Sequence, residues 1–303
     1  MAEARIPVDV FNPGQVFACL GLMEMADVLL GDAEGAFDWR NAGNEIFVLR
    51  AQGERNPLHA ALDFLERAEV LALVPEGSPH MNRTAKATTS GETIPFEIVP
   101  AGAPFPSPDE GADRLPALLR LRTEERTCAI RVDYWADATT HTGRDNVKFW
   151  AGAGGYPGVA LLKDALNLLR GRWEEAAIDP FEVSVLQSSS FRLDWRRDYV
   201  PLDTGFSLNQ HTHIATLGYP LVEVLAAIGL SHARPKLHDK LSYSYGIIGM
   251  MDDGALYPPM FLRAALGCAE LPFPMRTFHM ALGWPGKEGQ ARCIVNTYEE
   301  SRT

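Results

Sequence analysis

The sequence has no excess of positive charge: 28 lysines and arginines face 39 aspartates and glutamates, and the net charge is −11. That excludes indiscriminate wrapping of nucleic acid by the whole surface, which depends on many cationic contacts to phosphates. A local basic groove stays compatible with it, as does an acidic subunit whose neighbours supply most of the charge. Cysteine is scarce. The four residues Cys19, Cys128, Cys268 and Cys293 are scattered, and no pair has metal-ligand spacing. They read as reduced thiols of a cytoplasmic protein. The segment before Asn12 holds one arginine and Asp9, so it does not read as a secretory leader. No stretch reads as a membrane span; Pro13 to Leu30 is short for one and carries Glu24 and Asp27.

The motifs of common catalysis are missing too. There is no G-x-S-x-G elbow, no Walker A loop and no acidic cluster suited to two metals. His211-Thr212-His213 has no acidic or cysteine ligand at a known spacing, so no metal site is expected. His59 and His141 are isolated. The sequence therefore predicts neither a catalytic constellation nor a cofactor.

What is present is a soluble globular composition, 46% hydrophobic and 22% charged, in 303 residues, enough for one large or two ordinary domains. The clearest element is Asn12 to Gly31. Asn12 suits an N-cap, Pro13 suits the first helical position, Gln15 can reach back to the cap, and Gly31 is a natural stop. Only Glu24 and Asp27 interrupt an apolar circumference, so the helix is buried. Its small residues Ala18, Cys19 and Gly21 would let a sheet come close. Strands are expected at Arg5 to Phe11, Ala36 to Arg40, Glu45 to Arg50 and Thr93 to Val99, with a second Asn-Pro helix start at Asn56. The order βαββαβ is the ferredoxin-like, RRM-like pattern. Pro75 to Glu92 reads as a long loop.

The fold class is thus α+β with two ferredoxin-like domains, the second irregular. Residues 1–108 form the N-terminal domain with its loop at 75–92. Residues 109–180 are a connecting hairpin, Gly-rich loop and helix, and residues 181–303 form the C-terminal domain. In the last part, strands are expected at Glu182 to Leu186 and Phe191 to Trp195. A helix opens at Pro220, and Leu241 to Ile248 alternates as a strand. The pattern Ala-x-x-Gly-Leu occurs at Ala18 to Leu22 and again at Ala226 to Leu230. Duplication and coincidence explain it equally well.

Two stretches suggest contact with nucleic acid. Lys148-Phe149-Trp150-Ala151-Gly152-Ala153-Gly154-Gly155-Tyr156 precedes a helix. Its glycines expose backbone N–H groups, Arg144 and Lys148 add charge, and Trp150 and Tyr156 offer faces for base stacking. A plain flexible connection has the same composition. Arg192, Arg196 and Arg197 alternate with Phe191, Trp195 and Tyr199, as in a groove that tracks a single strand, or as in a strand with arginines outward and aromatics inward. Arg83 and Lys86 stand in the long loop.

The opening IPVDVFNPGQVFACLGLMEMADVLLG is similar to the N-terminus of a CRISPR effector-complex (Cascade) subunit family of subtype I-G, formerly I-U. The likeness runs the whole chain and includes Lys148 to Gly152 and the closing Gly283-Trp284-Pro285-Gly286-Lys287-Glu288-Gly289-Gln290-Ala291-Arg292-Cys293. The resemblance implies a non-catalytic, cytoplasmic member of the RAMP-like or large-subunit-like proteins. Such a member works with other subunits on crRNA and target DNA, without a membrane, and is a candidate reader of the protospacer-adjacent motif. Arg83, Lys86, Arg144, Lys148, Trp150, Gly152, Gly154, Arg192, Arg196 and Arg197 are the nucleic-acid residues this reading names. Glu288 departs from a typical glycine-rich loop and weighs against close RNA approach there. Two alternatives stand beside it: a crRNA-processing endoribonuclease using His141 or His211, and a scaffold that touches only protein.

Overall fold

The computed structural model describes residues 1–77, 85–86, 90–103, 116–132, 158–187, 190–196, 216–239, 241–283 and 293–300. The chain opens with strand β1 (Ala2–Pro7), helix α1 (Pro13–Leu30), β2 (Glu34–Asp38), β3 (Ile46–Ala51), helix α2 (Pro57–Arg67) and β4 (Glu69–Pro75). Short β5 (Ala85–Lys86) and β6 (Thr93–Ile94) pair with each other, and β7 (Phe96–Val99), β8 (Ala117–Arg122) and β9 (Thr127–Val132) follow. Then come α3 (Gly158–Leu168), α4 (Trp173–Ile178), the paired β10 (Val185–Leu186) and β11 (Leu217–Gly218), and α5 (Pro220–His232). The chain closes with β12 (Lys236–Asp239), β13 (Ser242–Ile248), α6 (Pro259–Leu266), β14 (Met275–Gly283) and β15 (Cys293–Glu299).

The class is α+β, as expected. The first sheet has the order β1-β3-β2, all antiparallel. Asn41-Ala42-Gly43 turns the β2–β3 hairpin, with Gly43 at φ +80°. The strand after α2 leaves this sheet. It is β4, which pairs in parallel with β7 and antiparallel with β8, in a sheet ordered β7-β4-β8-β9. The sequence reading places the sixth element of the βαββαβ unit at Thr93 to Val99; β4 stands there instead. Its core residues Val70 to Val74 are all buried, so it shows no alternation. The C-terminal sheet is a meander, β12-β13-β14-β15.

Helix α1 starts as the sequence dictates. Asn12 Oδ1 accepts from the Gly14 N–H at 3.1 Å. Gln15 Oε1 reaches past the cap and accepts from the Asp9 N–H at 2.7 Å, which turns the chain before the helix and ends β1 earlier than Phe11. At the other end Gly31, φ +87°, donates to the Asp27 carbonyl at 3.0 Å. The neighbour that the small residues admit is not a sheet but α5. A Cβ on Gly21 would fall 1.9 Å from the Leu225 carbonyl oxygen, and one on Gly229 would fall 2.2 Å from that of Phe17. Each glycine thus seats the carbonyl four residues before the other. One continuous core runs from β1 to β15 through this crossing.

A buried carboxylate lies just beyond. Glu24, 3% exposed, accepts two bonds of 2.6 Å from Arg263 of α6 and faces His232 Nδ1 of α5 at 3.3 Å. Burial lowers the His232 pKa below its ordinary 6.5; Glu24 opposes the shift, and Arg263 and Arg131 add to it. A lowered folded pKa means that the unfolded chain takes up the proton first. This contribution is therefore present above pH 6.5 and is lost as pH falls through the folded value. Stability measured by urea unfolding should drop from pH 7 to pH 5, and a His232→Gln variant should show a shallower drop. Gly21→Ala and Gly229→Ala should each cost on the order of 1–3 kcal/mol, the range for overpacking a tight core. The double variant should cost less than the sum, because both methyls open the same crossing.

Candidate functional site

One arginine of the aromatic–basic stretch, Arg196, sits in a buried polar anchor. Asn12 Nδ2 donates to Asp194 Oδ1 at 3.0 Å. Asp194 in turn accepts from the Arg196 Nε at 3.1 Å and Nη2 at 2.9 Å. Arg196 also pairs with Glu182, donates to the Phe181 carbonyl at 2.6 Å and lies 3.6 Å above the Tyr219 ring. The backbone N–H groups of Leu193 and Asp194 are held at 2.9 and 3.1 Å by the Glu223 carboxylate in the first turn of α5. Phe191 to Trp195 is therefore not the expected strand. Its donors go to a side chain instead of a neighbouring strand, and Arg192 takes a left-handed φ of +62°. Phe191 and Leu193 point into the core.

Beside this anchor opens a recess of about 560 Å³. Asp9, Glu45, Asp179 and Glu182 line it, together with Arg196 and Arg276 of β14. Arg276 makes two bonds of 2.8 and 2.7 Å to Glu299, lies 3.7 Å from Glu45, and sits over the Phe11, Trp39 and Phe278 rings at 5.1 to 5.9 Å. Both cations are thus already neutralised. Burial raises the Asp9 pKa, with the Phe11 N–H and then Arg196 pulling against it. Burial, then the charge of Glu182, raises that of Asp179. The lining is net acidic, so a phosphate finds no free cation here, while a lysine, an arginine or an amine finds acceptors.

No family model, curated protein or solved structure matches this chain. Of the residues the sequence singles out, Lys86 is exposed on β5, Arg192 is half-buried, and Arg196 is the anchor just described. Arg83, Arg144, Lys148, Trp150, Gly152, Gly154 and Arg197 lie outside the described residues, as do His141, His211, His213 and the closing Trp284 to Glu288. Among the described residues, no hydrogen bond or ion pair joins Lys86, Arg192 and Arg196 to one another. Sequence reasoning missed Arg276 and the acidic lining, which together come from four separate segments. The one local signal was Asp9, a polar residue in an otherwise apolar opening.

Arg196→Ala strips the buried Asp194, and the exposed Glu182, of their partner. A loss of about 2–4 kcal/mol in unfolding free energy is expected, and Arg196→Lys should recover only part of it, because an ammonium replaces neither the paired fork nor the stacked plane. Arg192→Ala should stay within about 0.5 kcal/mol of the parent.

Proposed function

We propose that this chain is a non-catalytic, cytoplasmic subunit of a crRNA-guided CRISPR surveillance complex, as its resemblance to the subtype I-G family implies. The observation that carries the reading is the strand order β1-β3-β2 under a buried, Asn-Pro-capped helix. It is the order of the first three strands of a ferredoxin-like unit. In this reading residues 1–75 descend from such a unit whose fourth strand, β4, serves the next sheet. Helix α1 is long and apolar enough to cross a membrane by composition alone, but 83% of it is buried inside the protein. That supports a core helix and no membrane partner.

The acidic recess divides the labour. It suits a basic side chain of a neighbouring subunit, the contact that a scaffold would make. Contacts to crRNA or target DNA then fall to Lys86, Arg192 and the sequence positions Arg83, Arg144, Lys148, Trp150, Gly152, Gly154 and Arg197, while Arg196 works as a structural tie. Guide pairing would read the sequence, and the protein would read backbone and a short duplex motif.

Co-purification with the products of neighbouring genes, followed by sequencing of the bound RNA, tests this. Recovery with guide RNA of uniform length is the expected result. An RNA-free chain that ignores those products would overturn it. Within the assembled complex, Lys148→Ala should weaken target-DNA binding for all sequences alike and reduce the salt slope by about 1. Arg83→Ala, if Arg83 reads a base, should instead cost about 1–3 kcal/mol at one motif position.

A further inference from the structure

Across the meander, β13 is flanked by β12 and β14, and the residues facing one side gather three ligand-type groups. His238 stands at the irregularity between Leu237 and Asp239 on β12. His279 of β14 pairs in register with Ser244 of β13 and with Tyr298 of β15. Glu300 follows the end of β15. The two imidazoles stack with centroids 5.9 Å apart, and His279 also stacks on Tyr298 at 4.9 Å. One ligand atom from each of His238, His279 and Glu300 lies within 4.8 Å of the other two.

Serine hydroxyls orient the rings. Ser244 Oγ, buried, donates to Glu300 Oε1 at 2.5 Å. Its single hydrogen is used there, so at 2.8 Å it accepts from His238 Nε2. Ser242 Oγ lies 3.3 Å from His279 Nε2, which leaves His279 Nδ1 turned to Glu300 at 3.9 Å. In metal-binding imidazoles the ring nitrogen that does not ligate the ion is held by a hydrogen bond, the role the serine hydroxyls fill here for both Nε2 atoms. Two imidazoles and one carboxylate form a borderline donor set that suits zinc-like divalent ions and not magnesium or calcium. Tetrahedral bonds of about 2.1 Å place ligand atoms about 3.4 Å apart, so the side chains need close by little more than an ångström. His238 is exposed, which leaves solvent to complete the coordination.

We propose that His238, His279 and Glu300 form a binding site for one zinc-class divalent ion. Bound there, the ion ties β12 to β14 and to the segment after β15. The tie falls where it is needed, because all four residues of β12 are exposed and the strand stands at one edge of its sheet. The site rests on this geometry alone and does not depend on the function proposed above.

The full chain, stripped with a chelator, would be titrated with Zn²⁺ and Co²⁺. One equivalent of metal, a visible Co²⁺ absorption band of low coordination number and a rise in Tm with zinc concentration are expected. His238→Gln and His279→Gln should each weaken binding at least about 10-fold, and Glu300→Gln, at the rim, gives a third variant with less risk to the fold. His59→Gln, exposed and on α2, serves as the control and should bind as the parent does. An unmoved Tm and no Co²⁺ band at millimolar metal would overturn the proposal. So would equal binding by a folded His238→Gln/His279→Gln double variant, which would put the metal elsewhere in the chain.

Discussion

The contact on which the rest depends is the seat of Gly21 on the Leu225 carbonyl and of Gly229 on that of Phe17. Only a residue without Cβ lets two helices approach so far, and at that range Cα–H groups meet carbonyl oxygens directly. The next turn repeats the relation in polar form, since Glu24 meets His232. The same sequence separation divides Phe17 from Leu225, Gly21 from Gly229 and Glu24 from His232. Contacts therefore step forward together, and the two helices run in the same sense about a local two-fold relation. The recurring Ala-x-x-Gly-Leu thus has a physical meaning as a self-complementary surface, whatever its ancestry. Because α1 belongs to the first sheet's layer and α5 introduces the last sheet, this crossing joins the two ends of the chain into one core.

A single short segment fixes the start of both helices. Gly14, in the first turn of α1, lies so close to Leu193 that a Cβ would fall 2.5 Å from its carbonyl oxygen. Glu223, in the first turn of α5, holds the Leu193 and Asp194 N–H groups. Asp194 then closes on Asn12, the cap of α1. The stretch is thus a clasp between two helix N-termini. Its acidic members find donors there without needing an opposite charge, and Arg196 compensates the carboxylate that remains.

The helices were legible because their signals are local. Asn12-Pro13 and Asn56-Pro57 cap as written, and Gly31 stops as written. The strands β2 and β3 were legible from their apolar residues, and β8–β9 as the connecting hairpin within residues 109–180. Strand β4 was not, since a strand buried on both faces loses the period of two that identifies it. The clasp misled for a related reason. Arginine next to aromatics describes both a nucleic-acid groove and a paired, stacked structural arginine, and only the location of Asp194 and Tyr219 separates them. The histidine cluster was beyond reach, because strand pairing, not sequence spacing, sets its geometry. His211-Thr212-His213 drew attention only because its members are neighbours in sequence.

The charge distribution connects these points to function. On the described surface the arginines are largely spent. Arg5 and Arg40 meet Asp38, Arg50 meets Glu3, Arg120 meets Glu69 and Glu97, Arg172 meets Glu175, and Arg276 meets Glu299. Arg40 binds Asp38 closely enough to hold its carboxyl at about 2. Paired cations of this kind release few counterions and contribute little to phosphate binding. The folded frame therefore fixes positions, presents an acidic recess and keeps its own cations engaged. Under the function proposed above, a grip on nucleic acid would have to come from residues not committed to this frame or from the subunits beside it, because a paired arginine has no counterion left to release.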